Sequence, residues 1–194
     1  MVAPLREIFQ RVLLVPVVVV LLGACGSPAP SSPWASVLDA ELQAMGYRNW
    51  IVVGDAAFPV HARRGVRTLV MDGEIPEVLD GVLQSLDAAQ RVSPRIYVAR
   101  ELAHVPNDRA PGIDLYRKEI EKAMHGFPAR QMEYRSLSLL LEDSGKTFSV
   151  LVLKTRTALP YSSVFIELDS AYWDVESERE MRQAMDEANR QEPG

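Results

Sequence analysis

The sequence predicts an α/β domain in which helices cover both faces of a mostly parallel, mixed β-sheet, a three-layer α/β/α arrangement. Residues 50–53 form a continuous apolar run rich in β-branched side chains, a pattern typical of a strand buried on both faces. Apolar residues between 75 and 86 recur instead at helical spacing. Strand-like and helix-like segments alternate along the chain, and this order favours a sheet with helical connections.

The other segments agree with this fold. An apolar helical pattern over 37–45 ends at Gly46, which we expect to close the helix in a left-handed conformation. Further strands are predicted at 66–71, 95–99, 148–153 and 164–168, a loop at 104–112, and helices at 114–124 and 176–190. Residues 132–141 fit either a strand entering a helix or a short helix alone. The order allows one antiparallel pair late in the chain.

The N-terminus has the pattern of a bacterial lipoprotein signal. Arg6 and Arg11 precede the apolar run 12–22, and the following Leu-Gly-Ala-Cys resembles a lipobox that would leave Cys25 lipid-modified. We therefore expect a signal peptide at 1–24, a Pro/Ser-rich tether at 25–33, one domain at 34–174 and a charged helix or tail at 175–194. The predicted location is the bacterial cell envelope, lipid-anchored on the periplasmic side of a membrane or at the cell surface. An ordinary cleaved signal with an incidental cysteine is the alternative.

Composition narrows the possible partners. The net charge of −5 argues against nucleic acid, which is bound through concentrated Lys and Arg. The histidines His61, His104 and His125 have no metal-ligand spacing, so no metal site is expected. No glycine-rich dinucleotide fingerprint follows a strand, and no cofactor is expected.

Asp55 is the first candidate for a binding residue. It follows the buried strand at 50–53 and Gly54. Ligands of open α/β sheets bind at the carboxyl ends of strands, so Asp55 is expected to hold a small polar molecule. The alternative is that Asp55 only caps a turn.

Several segments carry a family resemblance. Residues 42–61, Leu-Gln-Ala-Met-Gly-Tyr-Arg-Asn-Trp-Ile-Val-Val-Gly-Asp-Ala-Ala-Phe-Pro-Val-His, resemble a Met-Gly-His-Gly-Asp turn, a strand and an Asp-Ala-x-Phe-Pro-x-His segment. Residues 67–73 resemble the next strand with its Asp-Gly ending, and 147–155 and 160–168 resemble paired C-terminal strands. In these features the chain resembles the RbsD/FucU family of ribose pyranases and fucose mutarotases. The resemblance implies an RbsD-like fold and acid/base interconversion of sugar anomers or ring forms without a cofactor.

The resemblance also implies a set of substrate-binding residues. Asp55 would hold sugar hydroxyls, and Tyr161 would bind the sugar through its phenol. Arg135 falls near a basic binding position of the family. The family's Tyr-x-Asn motif falls at residues 161–163, where Ser163 replaces the asparagine.

The catalytic position departs from the family. Tyr47 stands where the family has its proton-transferring histidine. Tyrosine has an ordinary pKa of about 10 and is a poor base near neutral pH, whereas histidine titrates there. His61, six residues beyond Asp55, is the candidate for a replacement proton shuttle.

The sequence therefore predicts a monosaccharide-binding lipoprotein that could act as a mutarotase or pyranase, an isomerase. Two alternatives remain: a non-catalytic sugar-binding module, and a structural or interaction lipoprotein that keeps only the fold. The resemblance also implies a homo-oligomer whose sites are completed by a neighbouring subunit.

Overall fold

The computed structural model describes residues 34–191. The predicted signal peptide, the tether and Cys25 lie outside these residues. Among the helices between 34 and 191, none combines the length and the apolar character that a membrane crossing requires.

Five α-helices and six strands make up the described part of the chain. The helices are α1 (Ala35–Ala44), α2 (Ile75–Ala89), α3 (Ile113–Ala123), α4 (Tyr134–Ser144) and α5 (Val175–Gln191), with a short 3-10 helix at Arg100–His104. The strands are β1 (Trp50–Gly54), β2 (Val66–Val70), β3 (Val92–Ala99), β4 (Ala129–Met132), β5 (Val150–Lys154) and β6 (Val164–Ser170). The ambiguous segment 132–141 is thus the end of a strand followed by a helix.

The strands form one sheet in the order β2-β5-β1-β6-β3-β4. β5 runs parallel to both β1 and β2, and β3 runs parallel to β4. β6 is antiparallel to its two neighbours, β1 and β3. The predicted mixed sheet is confirmed, and its antiparallel pairs join β6 to earlier strands instead of to β5.

The central position of β1 explains its apolar sequence. All five of its residues are buried because strands flank it on both sides and helices cover both faces. Ile51 and Val53 pack into the core under α1, α2 and α3. Trp50 and Val52 point to the other face, where they pack with Leu137 of α4. The predicted three-layer arrangement is confirmed.

The first helix ends differently from the expectation. α1 ends at Ala44, and Met45 leaves it in an extended conformation, with its N–H donating to the carbonyl of Leu42. Gly46 does not take a left-handed conformation. The positive φ of 69° falls on Arg48, whose N–H donates to the carbonyl of Leu168 at 2.8 Å. The pairing of this segment with the end of β6 therefore determines the turn.

The charged helix predicted at the C-terminus is α5. Most of its residues are exposed, and ion pairs between successive turns join Arg179 to Glu176 and Arg182 to Glu178. Such exposed pairs contribute only a few tenths of a kcal/mol each.

Candidate functional site

The end of β1 and the start of β6 lie side by side because the two strands are antiparallel. Val53 pairs with Val164, so Asp55 just after β1 meets Ser163 just before β6. Gly54 allows the chain to turn here. A Cβ on Gly54 would lie 2.9 Å from the Cβ of Phe58, so only glycine fits without moving that ring.

Two hydrogen bonds hold the Asp55 carboxylate, and a third holds the backbone N–H of the same residue. The Ser163 hydroxyl donates to Oδ2 at 2.7 Å, and its oxygen accepts the Asp55 N–H at 3.1 Å. The Ala57 N–H donates to Oδ1 at 2.8 Å. Asp55 therefore does cap a turn, yet a carboxylate has about four acceptor positions, so it retains capacity for further donors.

Two tyrosines stand beside this carboxylate. Tyr161 has a left-handed backbone with φ of 57° and is 41% exposed. Its ring meets Tyr134, the first residue of α4, edge to face at 5.7 Å between centroids. Burial, and then the negative charge of Asp55, raise the pKa of the Tyr134 phenol. The phenol therefore stays protonated at neutral pH and can donate a hydrogen bond.

A third tyrosine contacts the segment before β6 from α3, on the face of the sheet opposite α4. Tyr116 of α3 is 4% exposed, and its hydroxyl donates to the carbonyl of Ser162. Burial raises the pKa of the Tyr116 phenol well above its usual range, and the charge of Asp55 adds to this effect. The sequence motifs do not predict Tyr116 or Tyr134 as site residues. Tyr116 has the spacing of an ordinary core-facing residue, and Tyr134 falls in the segment whose structure was ambiguous.

His61 belongs to the same end of the sheet. Its ring lies 6.2 Å from that of Phe58, the residue that contacts Gly54. Its Nε2 is buried and has no hydrogen-bond partner among the described residues. Arg135 follows Tyr134 in the first turn of α4, where it is exposed. Within residues 34–191 no hydrogen bond or ion pair joins Arg135 to Asp55, whose carboxylate is bonded by Ala57 and Ser163.

Tyr47 lies elsewhere. It precedes β1, whereas Asp55 follows it, and a five-residue strand spans roughly 16 Å. Tyr47 is 63% exposed and lines a cleft of about 490 Å³ together with Arg95 and Trp173. Within one chain, the structure therefore does not bring Tyr47 to Asp55. The strand between them keeps the two side chains apart within one subunit, and a catalytic role of Tyr47 stays a prediction.

Fold and site together define a small α/β domain with a cluster of polar and aromatic side chains at the carboxyl end of its central strand. Residues 35–169 match the model of the RbsD / FucU transport protein family. The chain belongs to this family, as its sequence motifs predict. α5 lies beyond the matched residues.

Individual relatives and a solved structure agree with this assignment. A D-ribose pyranase of Limosilactobacillus reuteri is 26% identical over 132 residues, covering 68% of this chain and 90% of the relative. A D-ribose pyranase of Limosilactobacillus fermentum is 25% identical over 126 residues, covering 63% and 83%. The structure of Bacillus subtilis RbsD complexed with D-ribose superposes with a TM-score of 0.50 at 15% identity, covering 69% of this chain and 92% of that one. The structural likeness concerns the fold.

Proposed function

We propose that this chain binds a monosaccharide at the carboxyl end of β1 and interconverts its ring forms or anomers. The observation that carries the proposal is the hydrogen-bonded pair of Asp55 and Ser163, in a domain whose relatives include D-ribose pyranases. The remaining acceptor positions of the carboxylate suit sugar hydroxyls, and the phenols of Tyr134 and Tyr161 add donors and an aromatic wall.

The proposed chemistry needs only proton transfers. Opening a cyclic hemiacetal removes a proton from the anomeric hydroxyl and delivers one to the ring oxygen, so an acid and a base suffice. Asp55 would accept a hydrogen bond from a sugar hydroxyl and orient the ring. His61 is the proposed proton shuttle because imidazole can give or take a proton near neutral pH. Its Nε2 has no hydrogen-bond partner among the described residues and is therefore not committed to another contact.

Tyr47 enters the proposal through oligomerisation. We propose a homo-oligomer in which Tyr47 of one copy completes the site of a neighbour, next to that neighbour's Asp55. The resemblance implies that Tyr47 stands at the position of the family's catalytic histidine, and one observation agrees with this arrangement: its side chain is 63% exposed at the far end of β1. Arg135, exposed at the start of α4, would also contact the sugar only in such a completed site.

A second candidate function is sugar binding without catalysis. It is favoured by the presence of Tyr47 where the resemblance implies a histidine, because tyrosine side chains seldom act as general bases at neutral pH. The residues of the Asp55 site would then bind a sugar and leave its anomers unchanged.

The test is NMR exchange spectroscopy on D-ribose with the full chain. Faster interconversion of the ribose forms supports the isomerase, and saturable binding without acceleration selects the binding module. Asp55→Asn should abolish both effects. Asp143→Asn is the matched control, since Asp143 is exposed and pairs with Lys146 at 2.9 Å at the far end of α4. The absence of both binding and acceleration would leave the structural lipoprotein as the remaining alternative.

The lipid anchor is a separate proposal. We propose that Cys25 is lipid-modified after cleavage of residues 1–24 and that the domain is held at a membrane of the bacterial cell envelope. The charge, apolar core and Leu-Gly-Ala-Cys motif of the N-terminus support it. Cys25→Ser should move the protein from the membrane fraction to the soluble fraction. An unchanged distribution would overturn the anchor and leave the sugar site unaffected.

A further inference from the structure

Residues 161–163 form a turn with an unusual backbone. Tyr161 has a φ of 57°, a left-handed backbone conformation that residues other than glycine rarely adopt. The turn directs Tyr161 outward, where it is 41% exposed, and Ser163 inward, where it is 1% exposed and bonds Asp55. A turn in a sparsely populated conformation persists only where its surroundings hold it.

Two hydrogen bonds hold the centre of this turn. The Ser162 hydroxyl donates to the carbonyl of Leu159 at 2.7 Å. The Ser162 carbonyl accepts from the hydroxyl of Tyr116, which reaches it from α3 across 46 residues of sequence. Both residues are buried, Ser162 at 0% and Tyr116 at 4% exposure. Without the phenol, the carbonyl would lose its partner in a region closed to water, which is unfavourable.

We propose that Tyr116 is a positioning residue of the sugar site: its hydroxyl fixes the Ser162 carbonyl, and thereby the directions of Tyr161 and Ser163 on either side of it. Tyr116 itself would not touch the sugar. The expected effect on sugar affinity rests on the proposed function, whereas the expected effect on the turn does not.

Two measurements on the full chain test this role. The first is the Kd for D-ribose, and the second is amide hydrogen exchange at Asp55, whose N–H donates to the Ser163 hydroxyl and so reports on the position of Ser163. Tyr116→Phe removes only the hydroxyl. Tyr97→Phe is the matched control, because Tyr97 is 6% exposed and donates to Glu167 at 3.0 Å away from the turn. Ser162→Ala, which removes the bond to Leu159, is a second variant acting on the same turn.

Tyr116→Phe should raise the Kd about tenfold, because the turn no longer holds Tyr161 and Ser163 in the binding geometry, and should speed Asp55 amide exchange several-fold. Ser162→Ala should act in the same direction, and Tyr97→Phe should change neither quantity. Unchanged Asp55 exchange in Tyr116→Phe, or an equal change in Tyr97→Phe, would overturn the role. If the unaltered chain binds no ribose, the proposed function has failed, and the amide exchange alone decides whether Tyr116 positions the turn.

Discussion

Tyr47 and Asp55 lie at opposite ends of the same buried strand, β1, with five residues of β-structure between them. Because that strand is the centre of the sheet and is held on both sides, no local rearrangement could bring the two side chains together. Any chemistry that uses both must therefore use two copies of the chain.

This separation gives a mixing experiment. Tyr47→Ala and Asp55→Asn should each abolish ribose exchange when assembled alone. In oligomers assembled from an equal mixture, about a quarter of the shared sites should carry both intact residues, so about a quarter of the activity should return. NMR exchange rates on co-expressed variants measure the recovery. No recovery would contradict a shared site, and full activity of Tyr47→Ala alone would remove Tyr47 from the mechanism.

The hydroxyl of Ser163 should be important for both stability and binding. Ser163→Ala removes the donor to Asp55 Oδ2, and the loss of a buried bond to a charged group should lower the free energy of unfolding by about 1–3 kcal/mol. The Kd for D-ribose should rise about tenfold because the carboxylate is less well oriented. Urea denaturation and a ribose titration measure the two effects.

Ser85→Ala is the matched control for that change. Ser85 also donates to a carboxylate, Asp39, at 2.8 Å, but this contact lies on the exposed surface between α1 and α2. Its loss should cost less than about 0.5 kcal/mol and leave the ribose Kd unchanged. Equal losses in the two variants would argue against a special role of Ser163.

Gly54 should tolerate no side chain. An added Cβ would come within 2.9 Å of Phe58 Cβ and Cγ and would push apart the turn that carries Asp55. Gly54→Ala should therefore lower the free energy of unfolding by about 1–3 kcal/mol, the usual cost of overpacking. Gly46→Ala is the control, since a Cβ there meets no atom within 4 Å. Thermal melts of both variants give the comparison, and similar melting temperatures would contradict the tight fit.

The buried phenols predict a loss of stability in alkali. The pKa values of Tyr116 and Tyr134 are raised above the ordinary 10.0 by burial, with a further contribution from the charge of Asp55. At pH values between 10 and the pKa values of the folded state, the folded chain binds more protons than the unfolded chain. The free energy of unfolding therefore falls as pH rises. Urea melts from pH 8 to 11 measure this fall.

Tyr116→Phe should make that alkaline fall less steep, because one buried group no longer ionises on unfolding. Tyr172→Phe is the control, since that phenol is 81% exposed. A fall of equal steepness in the unaltered chain and in Tyr116→Phe would show that other groups cause the alkaline unfolding.

Local sequence patterns were sufficient for much of the fold. The apolar run at 50–53 predicted a strand buried on both faces, and every residue of β1 is buried. β4 was not predicted as a separate strand because only its first and last residues are partly buried, so it lacks an apolar alternation. Its identity depends on pairing with β3, which no local pattern records.

The least predictable parts of the site come from long-range pairing. β6 pairs with β1 and β3, and this pairing places Ser163 against Asp55 and brings the Ser162 carbonyl to Tyr116. The sequence motifs identified Asp55, Tyr161 and Ser163 one by one. They could not show which of the family positions meet within one chain. In the structure, strand β1 separates Tyr47 from the other three residues.

Because β6 lies antiparallel beside β1, the proposed ligand site exists only when the whole domain is folded. Asp55 and Ser163 are 108 positions apart in the chain, and the site includes groups from helices on both faces of the sheet. A fragment of the chain would lack part of the site, so a sugar could not bind before the sheet has formed. A bound sugar would then stabilise the folded state by RT ln(1 + [L]/Kd), so the melting temperature of the domain would serve as a direct gauge of which sugars it accepts.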